Sequence, residues 1–167
     1  ATLVALGTAQ YAGLGSAQLA GLTTDQAAAL ATDDLVAIRA GQIGGLRTAA
    51  LVALESHQVA ALTSDQLAGL STTQLRAIEP ADFAALGTDR LVALGTAQIA
   101  ALTTAQLDAL GSAQFTALTP TQTAALTTAQ IASLDGGELA RLGTAAYAAF
   151  GTAQAAAIRP EQAAALD

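Results

Sequence analysis

Leu102-Thr103-Thr104-Ala105-Gln106-Leu107-Asp108-Ala109-Leu110 is one unit of a pattern that fills the chain. Every eighth residue from Leu6 to Leu166 is Leu, Ile or Phe, without exception. The position after this invariant residue is mostly Gly, Thr, Ser or Asp, as in Gly95, Thr103, Ser71 and Asp135. The next is Thr or Ser in fifteen of twenty units and Pro in three others, Pro80, Pro120 and Pro160. Gln stands two residues further on in fourteen units, with Asp34, Asp82 and Glu138 in three more. A second large apolar residue follows, such as Ile99, Leu107 or Phe115. The residue before the next invariant position is Ala, Gly or Ser everywhere except Arg141, which points to a close backbone approach there.

An octad cannot ride on one long helix. At 3.6 residues per turn the apolar stripe would drift by about 80° with each unit. It does not suit strands either, because the large apolar positions are spaced five then three apart and the filler is Ala and Gln rather than β-branched residues. One short helix per octad remains. Thr103 then serves as N-cap and Gln106 as N3, the pair that forms a capping box, while Leu102 and Leu107 at N′ and N4 form a hydrophobic staple. The three prolines fall at N1, where a missing N–H costs nothing, and they fix the phase independently. Gly at the cap position, as in Gly87, Gly95 and Gly111, is expected to end the preceding helix in a left-handed conformation. Asp25, Asp65, Asp89 and Glu161 at N2 lie at the positive end of the helix dipole.

Each helix is thereby predicted to hold roughly six or seven residues, about 10 Å of length. Alone such a helix would melt, so burial of the N′ and N4 side chains must hold the array together. The expected fold is an all-α solenoid of very short helices, a single domain over residues 1–167 with about twenty repeats. The N′ and N4 residues face inward and the N2 and N3 side chains outward. Two longer periods compete for the superhelical turn: prolines recur every forty residues, whereas Phe83, Phe115 and Tyr147 recur every thirty-two. The chain begins and ends within the pattern, without polar terminal repeats, as a section of a longer array would.

Composition narrows the function classes. There is no cysteine, which removes disulfides, thiolate metal sites and thiol nucleophiles together. The hydrophobic fraction is 53%, but Thr and Gln interrupt every unit and no run is long enough to span a bilayer, so no membrane insertion is expected. A net charge of −7, with six scattered Arg and no Lys, lacks the basic footprint of a nucleic-acid partner.

The candidate chemical residues each have a structural explanation. His57 is the sole histidine, and a catalytic role requires several mutually oriented groups. Its neighbours Glu55 and Ser56 fall at the start of the same helix, where capping accounts for them. Asp135-Gly136-Gly137-Glu138 suggests a calcium loop, yet its phase makes it a capping box written in acidic residues, with too few oxygen ligands. Asp33 and Asp34 are likewise N2 and N3. Tyr11, Phe83, Phe115, Tyr147 and Phe150 all occupy the apolar phases and are expected in the core. No catalytic, cofactor or metal site is predicted, and the chain is expected not to be an enzyme. A structural role through self-association, end to end or lateral, is the leading expectation. The alternative is a binding module that offers a repeated Thr and Gln outer face to ice or carbohydrate.

The stretch Gly95–Gln114, GTAQIAALTTAQLDALGSAQ, resembles the LTTAQIAA-type tandem tracts of very large bacterial proteins of the secreted, surface or adhesin type. The resemblance covers the whole chain and implies a bacterial extracellular or cell-surface setting with a mechanical or adhesive role. Arg39, Arg47 and Glu79 depart from the pattern at cap positions and are candidate lateral contacts.

Overall fold

The computed structural model describes residues 6–166. Residues 1–5 and 167, which also fall in the octad pattern, lie outside the described residues. Twenty α-helices follow one another from Thr8–Gly13 to Pro160–Ala163, one per octad, and no strand occurs among the described residues. They hold four to seven residues, mostly five or six, slightly shorter than the spacing predicts. The shortening arises because the link between helices uses two extended residues. Leu102 (φ −56°, ψ 142°) closes the helix Thr96–Ala101, and Thr103 (φ −74°, ψ 156°) opens Thr104–Asp108.

That two-residue link also corrects the expectation for glycine. Gly87, Gly95 and Gly111 have φ of −68°, −72° and −81° and never enter the left-handed region. Among the described residues only Gly143 does so, at φ 76°. There Leu142 stays helical, so Gly136–Arg141 runs almost directly into Gly143–Ala149.

Each helix packs on the third one along the chain: Thr8–Gly13 on Thr32–Ala37, that on Ser56–Ala61, and that on Pro80–Ala84. Side-chain hydrogen bonds reach the fourth helix, as from Gln58 to the end of Thr24–Ala28. The superhelical turn therefore closes between the third and fourth helix, and the recurrent contact separation is 28 residues. Neither the forty-residue proline spacing nor the thirty-two-residue aromatic spacing matches it. Both are properties of the sequence rather than of the turn.

The interior is built as the staple predicts. The N4 residues Leu67, Leu75, Leu91 and Ile99 are fully buried, and the N′ residues Leu62, Leu70, Ile78 and Leu94 nearly so. Phe83, Phe115 and Tyr11 lie in the same core, while Tyr147 and Phe150 are partly buried against it and meet edge to face, ring centroids 5.8 Å apart. The small residue before the invariant position faces neighbouring backbone at Gly45 and Gly69, though a Cβ on Gly13 would meet nothing within 4 Å. A Cβ placed on Gly69 would stand 2.5 Å from the Ala40 carbonyl oxygen, and one on Gly45 equally close to that of Ser16.

One expectation fails for most of the array. Nine of the fourteen N3 glutamines do not face outward: Gln58, Gln66, Gln74, Gln98, Gln106, Gln114, Gln122, Gln130 and Gln162 are buried, whereas Gln10 and Gln18 in the first described turn are exposed. Capping alone does not require that. The reason lies in what the far end of each amide does in the next layer.

Candidate functional site

Gln106 illustrates the arrangement. Its Oε1 accepts from the Thr103 N–H at 3.0 Å, and its own N–H donates to Thr103 Oγ1 at 3.1 Å, completing the capping box. Its Nε2 then donates across to the preceding turn, to the carbonyls of Leu75 and Ile78, each at 2.9 Å. Those carbonyls belong to the end of a helix, where intrahelical partners run out. One side chain therefore starts its own helix and finishes another. Gln130 repeats the bonds on Ile99 and Leu102, and Gln162 on Ile131 and Leu134. Gln58 adds a third acceptor, with Ala27, Ala28 and Leu30. The result is a ladder of amides that ties each turn to the one before it.

Substitutions at N3 alter the ladder in chemically readable ways. Arg90 keeps a donor, and its Nε reaches the Leu62 carbonyl at 2.5 Å, the same separation of 28 residues that Gln uses. Asp34 and Asp82 have no donor and instead accept hydroxyls from the N1 residues Thr8 and Ser56 of the previous turn. Glu138 accepts from the Asp135 N–H and otherwise faces its neighbours as a carboxylate. Burial raises its pKa above the ordinary value; the Asp135 N–H opposes that, while the carboxylates of Asp135 and Asp108 add to it. Arg39, a cap residue, donates from Nε to the Ala12 carbonyl at 2.8 Å. Gln42, three residues later, is left with a buried Oε1 that has no partner. Arg39 is thus tied into the fold through one nitrogen while its side chain stays exposed. Arg47 and Glu79 remain exposed.

The residues with catalytic chemistry are close together but wired apart. His57 Nδ1 lies 3.3 Å from Glu55 Oε2, both groups largely exposed, while the Ser56 hydroxyl donates to Asp82. A nucleophile needs its base within hydrogen-bond reach, and here serine and histidine have different partners. Asp135 and Glu138 form the reciprocal capping box, 2.6 and 2.8 Å, that their phase predicts. Among the described residues no three His, Asp or Glu side chains are placed to hold a metal ion. No helix of the described residues is long and apolar enough to cross a membrane.

The outer face differs from the one expected of a glycan or ice lattice. N1 hydroxyls such as Thr96, Thr104 and Thr128 are exposed, but beside them Gln98, Gln106 and Gln130, which would complete the lattice, are inside. The signal for this was present in the sequence. A capping box accepts Glu as readily as Gln at N3, and the helix dipole favours Glu. Fourteen Gln against one Glu therefore marks a position that needs a donor as well as an acceptor.

Among curated proteins, none matches this chain. The ALTTAQ repeat family matches over residues 1–32, 27–64, 35–72, 75–111 and 131–167. Those overlapping segments cover most of the sequence and follow the octads that form the ladder, so the chain belongs to the ALTTAQ repeat family.

Proposed function

We propose that this chain is a structural element rather than an enzyme: part of an extracellular fibre or bacterial surface-protein stalk whose copies associate end to end. The observation that carries this reading is the polarity of the ladder. Most N3 positions present an amide donor on one side and each helix ends in carbonyls on the other, so the two faces of the superhelix are complementary. Gln10, Gln18 and Gln26 illustrate the donor face. Each gives its Oε1 to its own cap N–H, at 2.9–3.0 Å, as the ladder glutamines do. A carbonyl face of a second copy offers the acceptors those amides meet elsewhere, along with apolar N′ and N4 side chains to cover. Because donor and acceptor faces differ, the contact is heterologous and does not close, which produces filaments.

Negative-stain images across a concentration series test the reading. Rods that lengthen with concentration are expected. The triple variant Gln10→Glu, Gln18→Glu, Gln26→Glu keeps every cap acceptor but sets carboxylates against carbonyls, and should stop growth while circular dichroism stays unchanged. Uniform short rods at all concentrations would overturn the end-to-end reading.

A further inference from the structure

We infer that the array is an extensible tether that yields one superhelical turn at a time under tension, in an order set by the ladder. This extends the structural role but does not rest on stacking of copies, since it concerns a single chain. Four observations carry it. The long-range side-chain hydrogen bonds join residues 25 to 31 apart, so each ties one turn to its immediate neighbour. The helices hold four to seven residues, so no element bridges several turns. There is no cysteine and hence no covalent link between turns. Finally, helices this short cannot survive without neighbours, so a turn that detaches unravels completely instead of remaining as a folded flap. Stability in such an array is a sum of nearest-neighbour terms. Tension applied at the ends is carried by every interface in series, and the weakest yields first.

The interfaces are unequal. The first described turn is tied to the next by Thr8 to Asp34, Arg39 to Ala12 and Gln58 to Ala27, Ala28 and Leu30, while Gln42 between them makes no cross-turn bond and Ala50 has no amide. The middle is joined by an unbroken run of five glutamines: Gln98 on Leu67 and Leu70, Gln106 on Leu75 and Ile78, Gln114 on Ala84 and Leu86, Gln122 on Leu91, Val92 and Leu94, and Gln130 on Ile99 and Leu102. Toward the other end the donors lapse at Glu138 and Ala146 before Gln154 and Gln162 resume them, so that interface has two gaps where the middle has none. The outer turns should release first and the Gln98–Gln130 interface last. The chain would then lengthen progressively at rising load, as a tether that limits sudden force does.

The test is single-molecule extension of the whole chain, held through cysteines appended at both ends. Release of one turn of 28 residues, at about 3.3–3.6 Å per extended residue less about 8–10 Å of folded spacing, gives a step near 90 Å. Steps of that size, with the last at the highest force, are the expected result. One rupture that frees the whole chain, or smooth extension without steps, overturns the inference. Gln106→Ala should shorten the residence time of the last step at constant force roughly fivefold or more and leave its length unchanged. A last step as persistent as in the parent chain would show that the ladder does not set the order.

Discussion

At the scale of the residue, one amide group carries two jobs that a carboxylate, which has no donor, cannot combine. Gln106 accepts at the start of its own helix and donates to the end of a helix in the previous turn. Its removal leaves a cap N–H and two carbonyls short of partners in a buried setting. Gln106→Ala should therefore cost about 2–3 kcal/mol in chemical denaturation, since each lost hydrogen bond contributes about 0.5–1.5 kcal/mol. Glu138 is the natural experiment in the other direction. Its pKa is raised chiefly by burial, so the folded state prefers the protonated form. Above that raised pKa the carboxylate works against folding, and the penalty fades as pH falls through it. Glu138→Gln should stabilise by about 1 kcal/mol near pH 7 through a new donor toward the preceding turn, with the gain shrinking in acid. Thermal melts at pH 7 and below pH 4 check both the size and the direction. An equal gain at the two pH values would place the cause elsewhere.

At the scale of the element, the helix start was legible in the sequence and the helix end was not. Thr103 with Gln106 and the prolines at N1 all sit where the octad puts them, because caps and N1 positions are governed by local backbone groups. The glycines misled for a local reason too. Two extended residues suffice to turn the chain, so Gly95 carries φ −72° and uses none of its special freedom. Two glycines should thus respond in opposite ways to a side chain. At Gly95 a Cβ would meet only Gln98 Oε1, at 3.8 Å, and Gly95→Thr supplies the missing hydroxyl of the capping box. A gain of about 0.5–1 kcal/mol is expected. At Gly69 the Cβ would press on the Ala40 carbonyl at 2.5 Å, a backbone atom that cannot swing away. Gly69→Ala should cost about 1–3 kcal/mol, the usual range for overpacking. Denaturation midpoints of the two variants decide it, and shifts of the same sign would refute the distinction.

At the scale of the whole molecule, what the sequence withheld was the closure of the turn. The octad states how often a helix restarts but not the angle at which successive helices cross, and that angle depends on how the N′ and N4 side chains of different turns interlock. The burial of the glutamines follows from the same unknown, because only closure near 28 residues brings each amide over the carbonyls of an earlier helix. Both features are therefore collective, and they have a collective consequence for stability. A peptide covering a single turn, residues 67–94, contains three complete helices and their caps, yet it has no adjacent turn to receive its staples or its amides. Its short helices cannot repay nucleation, and its circular dichroism should be that of a coil. Residues 67–122 add the second turn and with it the full row from Gln98 to Gln122, so helical signal should appear there. Each further turn should then add its own increment of unfolding free energy, larger where the row of glutamines is unbroken, as expected when every unit interacts only with its neighbours. A one-turn peptide that is already helical in water would mean that local capping, and not contact between turns, holds this fold together.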